Sequence, residues 1–412
     1  MEALEFLRTY LFSLPQLAKF ALILAVIVGV PPLSRRLGLP AAVGLLLAGL
    51  IIGPHGLEVF GEQRPVANFF GEIGKLLLMF TAGLEVNLAL FKAARNQAMT
   101  FGLLTTLIPL LLGTGVALLF GYPVIPAIVI GSLLASHTLL GLPTIIRLGA
   151  THLEPVTVTI GATVMSDTLS LVVFAICVST FQTGFSALSL GKQLLEIAVF
   201  VPFILFGVSR IGAWLLNKVK DHEDAFFVTM LAIVGIAGSI AESINLPPIV
   251  GAFLAGLAVN AAVQNHPAKE KLEFFGNSLF IPCFFIATGF LIDPINFIES
   301  IRNNFALVLG IIGALLVGKA IAAEIAGRKF GYSRASRKTV WSLTLPQVAA
   351  TLAATLVGYN TFNPAGERLL TVELLNVVLV LVLTTSILGP VLTERFAPEM
   401  LAEAAPPHRR AA

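Results

Sequence analysis

The chain has 412 residues, of which 57% are hydrophobic and only 12% charged, with a formal net charge of +3. A soluble domain carries roughly 25% charged residues, so this composition describes an all-α polytopic membrane protein whose main partner is the lipid bilayer. The small, dispersed net charge excludes nucleic acid as a partner, and the two cysteines, Cys177 and Cys283, lie inside apolar runs and exclude a disulfide framework.

Met1 to Ser13 carries Glu2 and Glu5 and lacks a basic leader, so no cleavable signal peptide is expected. Thirteen apolar runs follow, at about 15–33, 40–53, 69–91, 98–120, 124–147, 156–180, 193–217, 224–242, 246–264, 274–292, 303–326, 338–359 and 369–393. Residues 1–393 read as a single membrane domain and 394–412 as a short cytoplasmic tail.

Loop charge sets the orientation. Loops after odd-numbered runs, with the tail, hold seventeen Lys and Arg residues, among them Arg35, Arg36, Lys92, Arg147, Arg328 and Arg334. The opposite side holds five: Arg8, Arg64, Lys192, Arg302 and Arg368. The positive-inside rule then puts the N-terminus outside and the C-terminus in the cytoplasm, as for a multi-pass protein of a bacterial inner membrane. Lys19, Lys75 and Arg210 lie near the ends of their runs and can snorkel. Lys319, in GALLVGKAIAAEIAG, lies too deep for that.

Leu39 to Leu50 and Leu246 to Leu257 share the pattern LPxxVGxxLAGL at an offset of 207 residues. The copies fall in the second and ninth runs, which cross in opposite directions. Runs 1–6 (15–180) and 8–13 (224–393) are therefore expected to form inverted six-helix repeats joined by a linker helix at 193–217. Such repeats mark secondary transporters, whose substrate sites sit beside helices broken at mid-depth. Breaks are expected at equivalent places. The fifth run holds Ser136, His137, Thr138, Gly141 and Pro143, and the twelfth holds Ser342, Thr344, Pro346 and Gln347. Each proline frees a carbonyl one turn earlier, and such a group is tolerated only inside protein or along a cavity.

Asp167 sits at the centre of an otherwise uncharged apolar run, Val156 to Thr180. A carboxylate there costs about 3 kcal/mol on insertion scales and is usually kept for function. Thr163 lies one turn before it on the same face, and Ser166 is its neighbour. Ser136, Thr138 and the carbonyls freed in the fifth run can complete an oxygen shell around a monovalent cation, with Asp167 and Thr138 as metal ligands. A carboxylate neutralised by either a proton or a cation is the minimum device for antiport, since a bare one is too costly to carry across a closed barrier. Apparent cation affinity is then expected to fall as pH drops. His137 reads either as a pH-tuning group or as a neutral, hydrogen-bonded one, and Gln347 either as an amide bridge between the broken helices or as packing.

These pieces resemble the cation:proton antiporter-2 family of sodium/proton and Kef-type potassium/proton antiporters over about residues 15–393. The likeness rests on RRLGLPAAVGLLLAGLIIGPHG (35–56), GKLLLMFTAGLEVNLALF (74–91), Ser166-Asp167 and PCFFIATGFLID (282–293). It implies a sodium/proton antiporter fold with two crossing broken helices, a homodimer, and an elevator-like core that includes runs 5, 6, 12 and 13. It assigns the ion site to Asp167 and places Lys319 close by. Glu85, in GLEVN, matches a recurrent family acid and is read as a supporting ion-pair residue. Electrogenic members carry two adjacent acids, the first paired with the lysine; here Ser166 takes that first place. The implied activity is electroneutral one-for-one exchange of sodium for a proton, with potassium efflux of the Kef type as the alternative. No cofactor and no enzymatic activity are expected. The tail is too short for a nucleotide-sensing domain, so regulation is expected either to be absent or to come from a separate subunit.

A channel-like transporter would need a filter repeat or an acidic ring, and neither is present. An anion symporter would favour basic or polar groups over a mid-depth Asp. An aspartyl protease needs two facing acids, and Asp167 alone lies at that depth.

Overall fold

The computed structural model describes residues 12–37, 39–60, 65–84, 95–184, 187–244, 246–263 and 267–404. Glu85, Lys92, Arg8, Arg64, Arg409 and Arg410 lie outside the described residues. Every named element among the described residues is a helix, and helical segments fall within each apolar run of the sequence. Eight of these helices are long and apolar enough to cross a membrane, and Ala41–Ile52, Val124–Ala135 and Pro248–Val263 are shorter apolar helices. Many outward side chains are apolar, such as Leu119, Leu17 and Phe206 at 86%, 78% and 75% exposure, which suits a hydrocarbon rather than an aqueous surround.

The chain divides into two compact units, Met1–Glu85 with Gly191–Asn303, and Val86–Leu190 with Asn304–Ala412. In the first, both copies of the LPxxVGxxLAGL pattern use glycine for close helix approach. A methyl at Gly49 would run into the carbonyl oxygen of Ile286, and one at Gly256 into that of Phe80. Small residues let backbones touch where apolar side chains gain nothing from leaving lipid. Asn260 Nδ2 donates to the carbonyl of Leu84 at 2.6 Å, satisfying one end group of Pro65–Leu84. Lys75 does not need to snorkel, because its Nζ lies 2.6 Å from Glu72 on the same helix.

The second unit holds α1 (Arg95–Leu119), α2 (Val124–Ala135), α3 (Leu142–Arg147), α4 (Glu154–Thr183), α5 (Phe305–Lys329), α6 (Arg334–Leu343), α7 (Ala349–Tyr359) and α8 (Val372–Ala404). The fifth apolar run is broken: α2 stops at Ala135, Ser136 turns to extended backbone, and α3 restarts with a proline in its first turn. The twelfth run breaks at 344–348, between α6 and α7. α1 packs against α2, α4 and α5, while α8 packs against α6 and α7.

In the second unit, two boundaries differ by a turn or more from the sequence expectation. α6 begins at Arg334 rather than near 338, because Ser333 caps it by accepting from Ser336 N at 3.2 Å. α8 runs through Pro390 and Pro398 to Ala404, past the expected end at 393, because Phe396, Ala397 and Met400 are buried on the unit's core and hold the extra turns.

Candidate functional site

The site grows from the polar stripe on α4. Thr163 Oγ1 donates to Thr159 O at 3.0 Å, Ser166 Oγ to Thr163 O at 3.0 Å, and Ser170 Oγ to Asp167 O at 3.2 Å. Hydroxyls in an apolar helix thus find backbone acceptors one turn back. Asp167 has no such recourse, being an acceptor only when ionised. Its donors come from the broken end of α2: Ser136 Oγ at 2.7 Å and His137 N at 3.4 Å, both to Oδ1. The peptide N–H is available because the chain leaves the helix there. Oδ2 makes no hydrogen bond within the described residues, and Asp167 is only partly buried while Ser136, His137 and Ser166 are buried.

The imidazole of His137 lies between two α4 hydroxyls, with Nε2 3.0 Å from Thr163 Oγ1 and Nδ1 3.2 Å from Ser166 Oγ. Each hydroxyl has one proton, and both are already placed to donate to the backbone. A neutral ring has one N–H, so one hydroxyl must turn its proton from the helix to the ring. Ser166 thus faces His137 rather than Lys319.

The carbonyls freed at the break are taken by side chains from α5 and from the second break. Lys319 Nζ, fully buried on α5, donates to Ala135 O at 2.7 Å, Thr105 O at 3.0 Å and Thr105 Oγ1 at 3.2 Å. Gln347 Nε2 donates to Ser136 O at 2.5 Å, while Gln347 Oε1 accepts from Thr351 Oγ1 at 2.8 Å and Gln347 N donates to Thr385 Oγ1 at 3.0 Å. Thr138 enters through its backbone, its N–H donating to Pro346 O at 2.8 Å. The two breaks are thus hydrogen-bonded to each other. The sequence expectation of freed carbonyls in the fifth run as cation ligands named no residues, and here the carbonyls of Ala135 and Ser136 are engaged by Lys319 and Gln347.

Ser136, His137, Thr163, Ser166 and Asp167 come together in one network, and Lys319 and Gln347 brace it from either side. Sequence reasoning missed Thr105, Thr351 and Thr385. A signal existed for Thr105, one of two adjacent threonines at mid-depth in an apolar helix, and both are buried.

A family model described as sodium/hydrogen exchanger, transmembrane, matches residues 22–396. Among relatives, the chain is 44% identical over 384 residues to the Na(+)/H(+) antiporter NhaS5 of Synechocystis, covering 93% of this chain and 55% of that one. This chain therefore spans a little over half the length of that relative. It is 32% identical over 299 residues to a Na(+)/H(+) antiporter of Enterococcus hirae, covering 71% of this chain and 77% of that one. Among solved structures, the sodium proton antiporter MjNhaP1 of Methanocaldococcus jannaschii matches with a TM-score of 0.71 at 17% identity, covering 94% of this chain and 98% of the other, a likeness of fold.

Proposed function

The chain belongs to the sodium/hydrogen exchanger family, and from that membership we propose that it exchanges a monovalent cation, sodium first, for a proton across the membrane. The observation that carries the reading is the half-satisfied carboxylate. Asp167 Oδ1 is fixed by Ser136 and His137 N, and Oδ2 is left for an occupant. A proton or a cation neutralises the charge equally, and the two compete for one seat. Lys319, spent on carbonyls and on Thr105, stays a fixed brace rather than a second carrier. One proton then moves against one cation, without net charge. The thirteen-span topology with inverted repeats, the elevator-like motion of the unit carrying Asp167, the homodimer, and the outside N-terminus in a bacterial inner membrane belong to the same proposal. Loop charge supports the orientation, the repeated sequence pattern the inverted repeats and the division into two units the motion, while the homodimer rests on the family resemblance.

The test is exchange in proteoliposomes holding a pH-sensitive dye, with sodium, potassium and lithium supplied in turn. Sodium is expected to dequench the dye. Its apparent affinity should fall as the medium is acidified, approaching about tenfold per pH unit where one proton competes. Asp167→Asn should abolish the signal while the purified protein still elutes as a single folded species. Wild-type exchange in that variant, or a cation affinity that does not change with pH, would overturn the proposal.

A further inference from the structure

A cavity of about 480 Å³ lies between α5 and α6, away from the ion site. Its mouth carries Arg328, Arg334, Arg337 and Lys338 against one carboxylate, Glu324. Glu324 does not simply cancel two of these charges; it orients them. Arg328 Nε donates to Oε1 at 2.7 Å and Arg337 Nε to Oε2 at 2.9 Å, and Arg337 Nη1 is fixed on Tyr332 O at 2.7 Å. Gly327 makes room for the arginine stem, since a Cβ there would run into Arg337 Cγ. Arg334 and Lys338 lie one turn apart on the capped first turns of α6, where the helix dipole also favours an anion. Lys338 is steadied with its Nζ 5.0 Å from the Phe396 ring centroid.

The floor is of another kind. Ala320 and Ala323 present only methyl groups, and Trp341 has spent its indole N–H on Leu316 O at 3.0 Å. Basic head, apolar floor and a tryptophan between them repeat the layering of a membrane interface. The cavity also lies at the basic end of a helix long and apolar enough to span the bilayer. We propose that this cavity binds the phosphate of an anionic phospholipid, with the start of an acyl chain over Ala320, Ala323 and Trp341. The basic mouth recognises the headgroup charge, and the floor separates a lipid from a free phosphate.

The chain has two tryptophans, so Trp214→Phe leaves Trp341 as the sole reporter. The purified full chain in neutral detergent is titrated with brominated phosphatidylglycerol or brominated phosphatidylcholine. The anionic lipid should quench Trp341 at a several-fold lower mole fraction. Arg334→Gln with Lys338→Gln should erase that preference, each lost cation weakening binding by about fivefold. Ala320→Leu fills the floor without altering charge and should weaken quenching by the anionic lipid. Glycerol phosphate at millimolar concentration should not relieve quenching. Equal quenching by both lipids, a preference that survives the double substitution, or no effect of Ala320→Leu would each overturn the proposal. Relief by glycerol phosphate at up to millimolar concentration would also overturn it, by assigning the site to a soluble phosphate.

Discussion

At the scale of single residues, the site depends on supplying donors where a helix has stopped. Asp167 is one conspicuous carboxylate, but its geometry is set by Ser136 and His137 N, which face it because the backbone turns away from α2. Gln347 is the clearest positioning residue, joining Ser136 O on one break to Thr351 beyond the other. Gln347→Leu keeps the volume but leaves a buried carbonyl without its donor, a cost of about 1–3 kcal/mol. The variant is expected to unfold at lower temperature, by fluorescence-detected size exclusion, and to lose most exchange rate. An unchanged melting point and rate would return Gln347 to ordinary packing. Sequence singled out side chains that the fold brings together here. It could not show that Ser166 and Thr163 turn to an imidazole, because that depends on how α4 is rotated.

At the scale of helices, Pro143 and Pro346 in apolar runs were readable as breaks, and the polar residues beside each marked where the chain would leave the helix. Which side chains would fill the freed carbonyls was not readable. Thr105, Thr351 and Thr385 look like any small polar residue in a span until packing sets their facing. The start of α6 was misplaced for a related reason: Arg334, Arg337 and Lys338 resemble a loop by charge, and the Ser333 cap outweighs that impression. Glycines sort in the same way. Gly256 sits against the Phe80 carbonyl, whereas Gly313 on α5 has nothing within 4 Å of a built Cβ. Gly256→Ala should cost about 1–3 kcal/mol through overpacking. Gly313→Ala should instead gain up to about 1 kcal/mol through helix propensity. Thermal unfolding of the two variants measures the contrast, and equal shifts would refute it.

At the scale of the whole molecule, charge bookkeeping decides the energetics of transport. In the proposed cycle, with Lys319 held on Thr105 and Ala135 and Ser166 rather than an acid beside Asp167, one carboxylate would exchange one positive occupant for another. An imposed membrane potential should then change neither the rate nor the endpoint of sodium-driven proton movement in proteoliposomes. A clear voltage dependence would mean that a second group titrates during the cycle.

The break in α2 also has a consequence for biosynthesis. Its two freed carbonyls are answered by residues 184 and 211 positions further along the chain. The ribosome delivers α2 to the bilayer long before Lys319 or Gln347 exists, and until both arrive the broken end holds polar backbone with no protein donor. The hydrogen-bonded network around Asp167 is therefore completed only once Gln347 has been made. A chain cut before Gln347 leaves the carbonyl of Ser136 without that donor and should be digested faster by protease than the full chain.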